Sequence, residues 1–341
     1  MAPSERPTSP QPAGAPLDVV GIGNALVDVI AFQSEDFLGE HALVKGSMEL
    51  VDSERAVALY AAMGPGVESS GGSAANTLAG LASFGGRGGF IGRVRDDQLG
   101  EVFVHDLRAT GVEFPIPAAA TGSPTGRCLV VVTPDAERTL STLLGAAGEL
   151  DADDIDEDLV ARARVTYLEG YLFDQAAAGE AFFKAAAAAH RADRKVALTL
   201  SDSFCVERYL ESFRHLVADT VDVLFANEAE LTLLYETDDV IEALEHAGRA
   251  CGLVAVTRGP QGSSISVGGR RLDVAADPVA HVVDTTGAGD LYAAGFLYGL
   301  TRDLPLETCG RLGSLAAAEV ISHVGARPET SLAALAAPLL P

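Results

Sequence analysis

Short runs of consecutive apolar residues alternate along the chain with longer stretches in which alanine and leucine recur at helical spacing. Runs of the first kind are LDVVGIG (17–23), GGFIG (88–92), CLVVVT (128–133), VTYLEG (165–170), KVALTL (195–200), VDVLFA (221–226) and LVAVT (253–257). AANTLAGLASF (74–84) and AGEAFFKAAAAAHRA (178–192) are of the second kind. Buried strands that alternate with helices predict an α/β fold, with a mostly parallel sheet covered by helices on both faces.

Two regions interrupt this alternation. Residues 31–51 and 112–143 contain strand-like runs without intervening helices, such as ERTLSTLL at 137–144. An alternating segment inserted into an α/β domain indicates a small antiparallel flap, which would be a lid over a binding site. An ordinary surface hairpin explains the same pattern.

Length and charge narrow the class of protein. The 341 residues suffice for one large α/β domain or two ordinary ones, and 48% hydrophobic residues with 36 glycines are typical of a folded enzyme. A net charge of −24 without any basic run argues against binding to nucleic acid or to an anionic membrane. The negative charge does not exclude binding of a phosphorylated small molecule, because salt screens the electrostatic field of the protein beyond about 8 Å.

The N-terminal residues and the cysteines indicate the compartment. Residues 1–16 are rich in Pro, Ser and Ala and lack an apolar core, which predicts a disordered leader rather than a signal peptide. No segment is apolar over a length that spans a bilayer. The four cysteines are far apart in the sequence and have no cluster of histidines beside them, so neither a zinc site nor a disulfide framework is indicated. We therefore expect buried, reduced thiols and a cytoplasmic protein.

The segment VVGIGNALVDVI carries a G-x-G pattern after the first strand. The third glycine of a dinucleotide-binding fingerprint would fall at Leu26, which argues against an oxidoreductase that binds a dinucleotide. Asn24 and Asp28 follow the strand at the edge where α/β folds bind ligands, so both are candidate substrate-binding residues. An Asx-turn at Asn24 and a helix or turn cap at Asp28 explain them equally simply.

A second glycine-rich segment reads ESSGGSAANTLAGLASFGG. Gly71 and Gly72 permit unusual dihedral angles, a close approach of the backbone to a ligand, or a hinge. Ser73 is a good N-cap for the helix that follows and, like both glycines, a candidate substrate-binding residue. Asn76 lies three residues inside that helix, where it would face either a ligand or water.

Residues 284–300 read DTTGAGDLYAAGFLYGL. A helix that begins near Ala288 would direct several unpaired N–H groups at one point, which favours binding of a phosphate. The carboxylate of Asp290 on its first turn could take a proton from a hydroxyl held there, as phosphoryl transfer requires. A helix with a favourable acid near its N-terminus fits the same residues, and the residues alone leave both interpretations open.

Three motifs together resemble those of a known family. DTTGAGD at 284–290, GGSAANTLAGLASFGG at 71–86 and ANEAEL at 226–231 are similar, in order and spacing, to the motifs of the ribokinase-like (PfkB) family of small-molecule kinases. The resemblance extends over most of the chain, and it implies a doubly wound α/β kinase domain at about residues 17–335. It also implies a small β-sheet lid, which agrees with the two interruptions of the helix–strand alternation.

The same resemblance implies roles for particular residues. Asp290 is the expected general base for the acceptor hydroxyl. The expected anion hole for the γ-phosphoryl group of ATP consists of Gly287, Ala288 and Gly289 together with the backbone amide of Asp290. Asn227 and Glu230 are expected to position Mg²⁺ and its waters, although a strand end followed by a helix cap also explains this pair. The turn TRGPQGS (257–263) is expected to lie near the ATP ribose and phosphates through Thr257, Gly259 and Gly262. Read without the resemblance, it is a hairpin turn.

The resemblance further implies a monovalent cation, such as K⁺, beside the anion hole. The implied ligands are Asp284, the Thr286 carbonyl and carbonyl groups in residues 320–325. Arg138 resembles an arginine that reaches from the lid side to the phosphates, whereas composition alone would favour a solvent-facing strand residue. Tyr171 would stack on a purine or pack in the core.

The substrate follows from the spacing in GNALVD, which resembles the beginning of adenosine kinases more than that of ribokinases. The two carboxylate oxygens of Asp28 could accept both hydroxyls of a ribose diol. We therefore expect an ATP- and Mg²⁺-dependent kinase, a monomer or homodimer, that phosphorylates the 5′-hydroxyl of adenosine. A sugar kinase acting on ribose, fructose or a relative is the alternative, and a sensor that binds nucleotide without catalysis is a third.

Overall fold

The computed structural model describes residues 14–135, 137–174 and 176–340, so most of the predicted leader at 1–16 lies outside the described residues. The described strands are β1 (Leu17–Ile22), β2 (Leu26–Phe32), β3 (Met48–Leu50), β4 (Val67–Gly71), β5 (Gly88–Ile91), β6 (Gly126–Val132), β7 (Arg138–Leu143), β8 (Ala163–Glu169), β9 (Lys195–Thr199), β10 (Val223–Asn227), β11 (Leu253–Thr257), β12 (Ser263–Val267) and β13 (Arg270–Val274). Each of the seven apolar runs in the sequence contributes a strand at the predicted position.

The α-helices lie between these strands and after them. They are α1 (Glu35–Glu40), α2 (Ser53–Ala62), α3 (Ser73–Ser83), α4 (Gln98–Ala109), α5 (Glu157–Arg162), α6 (Ala176–Arg191), α7 (Ser203–Arg208), α8 (Leu210–Asp219), α9 (Glu228–Leu234), α10 (Val240–Ala250), α11 (Ala288–Leu300), α12 (Leu306–Val320) and α13 (Leu332–Ala336). In the described part of the chain no helix combines the length and apolarity needed to span a membrane.

The larger sheet has the strand order β13-β12-β11-β10-β9-β8-β1-β5 within the described residues. Strands β5, β1, β8, β9, β10 and β11 are parallel, and β12 and β13 continue the sheet as antiparallel hairpins. Separate apolar clusters cover its two faces. This mostly parallel sheet, flanked by helices and accompanied by a smaller sheet, confirms the predicted α/β architecture.

The smaller sheet has the order β3-β7-β6-β2-β4. Residues of β2 alternate between its faces: Val27 and Val29 are buried in the main core, whereas Asp28 and Ile30 are on the opposite face. The sheet takes strands from outside the predicted segments 31–51 and 112–143, because β2 begins at Leu26 and β4 lies at 67–71. The prediction that 31–51 lacks a helix is wrong, since α1 lies within it.

Helix α11 packs between α3 and α12 and also contacts the large sheet, where the rings of Phe296 and Phe225 lie 5.4 Å apart. Helix α11 is buried continuously from Leu291 to Gly299. Glycines permit this close packing of helices: a Cβ atom at Gly295 would lie 2.3 Å from the carbonyl oxygen of Leu312. The packing places the N-terminus of α11 beside that of α3.

All four cysteines, Cys128, Cys205, Cys251 and Cys309, are buried thiols, as predicted. Strands β1, β8, β10 and β11 are parallel, so their carboxyl ends meet at one edge of the large sheet. The small sheet begins at the same edge, because only residues 23–25 separate β1 from β2. Each of the predicted site motifs is near this edge or on the small sheet beside it.

Candidate active site

The N-terminus of α11 begins at a glycine that no other residue could replace without strain. Gly287 is the N-cap with φ +79°, and a Cβ atom there would lie 2.8 Å from the Cα atom of Ala326. Leu291 N donates to the Gly287 carbonyl at 2.9 Å and closes the first turn. The N–H groups of Gly289 and Asp290 precede that bond and are of the kind that a helix N-terminus leaves for an anion.

Asp290 lies on this first turn and its carboxylate is held by two donors from α3. Ser73 Oγ donates to Oδ1 at 2.6 Å, and Asn76 Nδ2 donates to Oδ2 at 3.2 Å. Burial raises the pKa of Asp290 to about 6, although both hydrogen bonds lower it. A carboxylate with this pKa is ionised at neutral pH and is still basic enough to accept a proton from a hydroxyl.

The start of α3 explains how these donors are placed. The N-cap is Gly72, with φ +91°, and a Cβ atom there would lie 2.2 Å from the carbonyl oxygen of Asn24. The prediction that Ser73 is the N-cap is wrong: Ser73 is the first helical residue, and its hydroxyl bonds Asp290 instead of a backbone N–H. Asn76 is 5% exposed and faces Asp290 rather than water.

Glu169, which the sequence analysis did not single out, joins two of these segments. Its Oε1 accepts from Asn24 N at 3.2 Å and Asn24 Nδ2 at 2.8 Å, and its Oε2 accepts from Ala74 N at 2.9 Å. Burial raises the pKa of Glu169 to about 7. The side-chain nitrogen of Asn24 thus bonds a residue 145 positions away. In the sequence, Glu169 is recognisable only as an acidic residue near the end of the apolar run VTYLEG.

Asp28 lies within strand β2, so the alternative that it caps a helix or a turn is wrong. It faces Gly71 of the neighbouring strand, where a Cβ atom would lie 2.4 Å from Asp28 Oδ2. Burial raises the pKa of Asp28 to about 6, the charges of Arg327 and Arg138 lower it, and that of Asp290 raises it. Asp28 and Asp290 therefore belong to one cluster of charges between the two sheets.

Arg138 extends from strand β7 of the small sheet to the segment before α11. Its Nη2 lies 2.8 Å from Asp284 Oδ2, with side chains 13% and 9% exposed, which excludes the solvent-facing alternative. Asp284 also accepts from Thr286 N at 3.1 Å, Thr286 Oγ1 at 2.7 Å and Gly325 N at 2.9 Å. These donors surround the carboxylate, so Asp284 does not fit the predicted role of a K⁺ ligand in this arrangement.

Asn227 and Glu230 form a reciprocal capping box at the start of α9. Glu230 Oε2 accepts from Asn227 N at 2.9 Å and Oε1 from Asn227 Nδ2 at 2.7 Å, while Asn227 Oδ1 accepts from Glu230 N at 2.8 Å. Burial raises the pKa of Glu230 to about 7, and the charge of Asp202 adds to this effect. The alternative of a strand end followed by a helix cap is what the structure contains.

The same contacts test the predicted magnesium site. Both oxygens of Glu230 already accept hydrogen bonds from Asn227, and the described residues contain no group of three or more His, Cys, Asp or Glu side chains that could hold a metal. These contacts argue against direct coordination of Mg²⁺ by the pair. The predicted role, which acts through the waters of Mg²⁺, stays a prediction.

The turn between β11 and β12 lies beside Asn227, because Asn227 pairs with Thr257 in the sheet. Gly259 has φ +54° with open space around it, whereas a Cβ atom at Gly262 would lie 2.0 Å from the carbonyl oxygen of Val274. Tyr292 OH donates to Ser263 Oγ at 2.8 Å and ties the turn to helix α11. The predicted nucleotide turn and the predicted anion hole are therefore parts of one connected region.

Tyr171 lies in the short 3₁₀ segment after β8 and packs against the second core cluster. Burial raises its pKa, and the charges of Asp202 and Asp290 act in the same direction. Its ring is thus part of the core, and it lies near enough to Asp290 for that charge to affect it.

The profile of pfkB family carbohydrate kinases matches residues 51–332. The chain belongs to the pfkB family of carbohydrate kinases. Membership makes it an ATP-dependent phosphotransferase that acts on an alcohol, and implies ATP, typically with Mg²⁺. Among curated relatives, the 5-dehydro-2-deoxygluconokinase of Geobacillus kaustophilus is 30% identical over 263 residues, which cover 74% of this chain and 78% of that protein.

Two solved structures resemble this pfkB kinase over a greater length. A probable sugar kinase from Rhizobium etli CFN 42 is 47% identical, with a TM-score of 0.89, and the match covers 96% of this chain and 100% of that one. The adenosine kinase from Sinorhizobium meliloti is 50% identical, with the same TM-score of 0.89 and the same coverage of 96% and 100%. These neighbours confirm the ribokinase-like fold that the three motifs implied.

Proposed function

We propose that this pfkB kinase transfers the γ-phosphoryl group of ATP to the 5′-hydroxyl of adenosine. The observation that carries the proposal is the 50% identity to the Sinorhizobium meliloti adenosine kinase over 96% of this chain. Asp28 supports it, because a carboxylate near enough to Asp290 for their charges to interact can accept both hydroxyls of a ribose diol. A sugar kinase is the second candidate, favoured by the 5-dehydro-2-deoxygluconokinase relative and the probable sugar kinase neighbour.

In the proposed reaction Asp290 is the general base. Its carboxylate takes the proton of the acceptor hydroxyl, whose oxygen forms a bond to the γ-phosphorus. The bond between that phosphorus and the bridging oxygen breaks, and the electron pair leaves with ADP. Ser73 and Asn76 hold the carboxylate in position, as their hydrogen bonds to it indicate. The N–H groups at the start of α11 bind the oxygens of the transferred group.

We propose that the kinase unit spans residues 17–335 and that the small sheet is its lid. Arg138, on strand β7 of that sheet, would bring positive charge to the transferred phosphoryl group when it exchanges Asp284 for phosphate oxygens. Guanidinium groups suit this purpose because two parallel N–H groups match phosphate geometry.

An acceptor panel tests the function. We expect ADP release from wild-type enzyme with adenosine, and much less with inosine, ribose, fructose or 5-dehydro-2-deoxygluconate, each measured with and without Mg²⁺. The Asp290→Asn variant, purified identically, is the blank for contaminating ATPases. Turnover of sugars without turnover of nucleosides would establish the sugar kinase, and ATP binding without turnover of any acceptor would favour the sensor.

Replacing Arg138 by glutamine is expected to lower kcat by roughly 10- to 100-fold, because the transferred group loses a neighbouring positive charge. Steady-state kinetics with saturating acceptor would measure this effect. Arg127→Gln is the matched control, since Arg127 is on the adjacent strand β6 but stacks on Tyr60, 5.5 Å from its ring centroid. Equal kcat values for the two variants would show that Arg138 is only a structural ion-pair partner of Asp284.

A further inference from the structure

Arg327 lies in the segment after α12, beside both the predicted anion hole and the side chains that hold Asp290. The residue before it, Ala326, packs against Gly287 of the predicted anion hole. Its Cα atom lies 2.8 Å from the position that a Cβ atom at Gly287 would take. Arg327 Nε donates to Asn76 Oδ1 at 3.4 Å. Asn76 in turn donates to Asp290. The guanidinium group is therefore beside the side chain that holds the general base.

One nitrogen of this guanidinium has no protein partner among the described residues. Arg327 Nη2 is buried without a hydrogen bond. A buried N–H group of a charged side chain without an acceptor costs more free energy than an ordinary hydrogen bond contributes, so native structures rarely leave one unused. Asn24 Oδ1 is likewise buried without a partner. Arg138 Nη2 is also buried without a hydrogen bond, although it forms the ion pair with Asp284. The site thus contains two unpaired donors and an unpaired acceptor.

The charge of Arg327 acts on Asp28, the residue proposed to bind the acceptor. Its charge is the strongest of those that lower the pKa of Asp28, ahead of that of Arg138. The other ionisable groups that interact with Asp28 are Asp290 and the thiol of Cys128. The pKa of Asp290 is set by its burial and by its two hydrogen bonds, and the charge of Arg327 is not among the causes of its shift. The guanidinium therefore acts on the carboxylate proposed to bind the acceptor more than on the base.

We propose that Arg327 is an acceptor-binding residue, whose buried Nη2 donates a hydrogen bond to an oxygen of the acceptor that Asp28 also binds. The acceptor class is a polyhydroxylated ring, because such a ring offers an oxygen acceptor to Arg327 beside hydroxyl donors to Asp28. This inference rests on the proposed function only in that the enzyme binds such an acceptor. It applies equally to a nucleoside or a sugar.

The test compares Arg327→Met with wild-type enzyme by calorimetric titration of the acceptor, using whichever compound of the panel is turned over. We expect the acceptor Kd to rise by roughly 10- to 100-fold, the effect of losing a hydrogen bond to a charged group. The Kd of ATP should change by less than about threefold. Arg327→Lys keeps the charge and is expected to recover part of the affinity.

A pH profile separates this role from a structural one. Without the Arg327 charge the pKa of Asp28 rises above about 6, so the acid limb of acceptor kcat/KM should move to higher pH in Arg327→Met. Arg302→Met is the matched control, because Arg302 stacks on Tyr298 and pairs with Asp18 near the opposite edge of the sheet. Its affinities and its acid limb should equal those of wild type.

Two results would overturn the inference. One is an unchanged acceptor Kd in folded Arg327→Met; the other is an equal loss of affinity for ATP and acceptor with an unmoved acid limb. In either case the wild-type enzyme still phosphorylates its acceptor, so the proposed function stands. If the wild-type enzyme phosphorylates a sugar and not adenosine, the proposed function is wrong. The comparison of Arg327→Met with wild type is then made with that sugar.

Discussion

Replacing Asp290 by asparagine is expected to lower kcat by roughly 10²–10⁴-fold, the range that a positioned general base contributes. The amide cannot take the proton of the acceptor hydroxyl, while the N–H groups of α11 and the acceptor contacts at Asp28 are unchanged. The acceptor Kd, measured by calorimetry, should therefore stay within about threefold of wild type. Single-turnover kinetics would show the loss in the chemical step.

The pH dependence gives a second measurement on the same residue. The pKa of Asp290 is about 6 in the folded protein, above its ordinary value of 3.8. The base is therefore lost by protonation as pH falls through about 6, and wild-type kcat should fall along this limb. The limb should be absent in Asp290→Asn.

The stability effect has the opposite sign. A raised pKa in the folded state means that folding favours the protonated carboxyl, so this contribution is complete below pH 3.8 and is lost as pH rises through about 6. At pH 8 the neutral asparagine should therefore leave the melting temperature unchanged or higher. An Asp290→Asn variant with kcat within a few-fold of wild type, or with a strongly lowered melting temperature, would contradict the assigned role.

Replacing Gly72 by alanine is expected to damage stability and catalysis together. The added Cβ atom would lie 2.2 Å from the Asn24 carbonyl oxygen, and the φ of +91° is strained for any residue with a side chain. Relief of the clash must move either the start of α3 or Asn24. Because Ser73 and Asn76 hold Asp290, a shift of about 1 Å would cost on the order of 10²-fold in kcat/KM.

Gly85 is a close control for this variant. It also has a positive φ, +87°, but nothing lies within 4 Å of the position of its Cβ atom. Gly85→Ala should therefore show only the backbone cost, about 1–2 kcal/mol, with kinetics near wild type. Gly72→Ala should be destabilised by more than this in denaturant titration. Equal stability and kinetics of the two variants would leave Gly72 as an ordinary turn residue.

The elements that sequence patterns predicted correctly are those set by local chemistry. Apolar runs such as LDVVGIG and KVALTL became strands of the large sheet because a parallel sheet buries both faces of each strand. The motif at 284–290 placed Asp290 on the first turn of α11, because Gly287 must adopt a positive φ at that point. These features depend on residues within a few positions of one another.

The errors arose where a distant segment determined the outcome. A cap stayed open as an explanation of Asp28 because its strand, β2, is recognisable only from its pairing with β4 and β6. Ser73 read as an N-cap because nothing in its own segment indicates that Asp290, 217 positions away, takes its hydroxyl. The capping box of Asn227 and Glu230 is the opposite case: it is local, and the structure contains the helix cap that the sequence offered.

Local propensity, the periods of apolar residues and the three motifs were enough to predict the α/β class, the kinase family and Asp290 as the candidate general base. They suffice because each depends on the order of neighbouring residues, which the chain itself displays. The partners of Asp290, the tie from Glu169 to Asn24, the ion pair of Arg138 and the unpaired nitrogen of Arg327 were decided only in three dimensions. The first three of these join segments at least 145 positions apart, and Arg327 reaches Asn76 over 251 positions. Only the packing of the two sheets and of α3 on α11 brings those segments together.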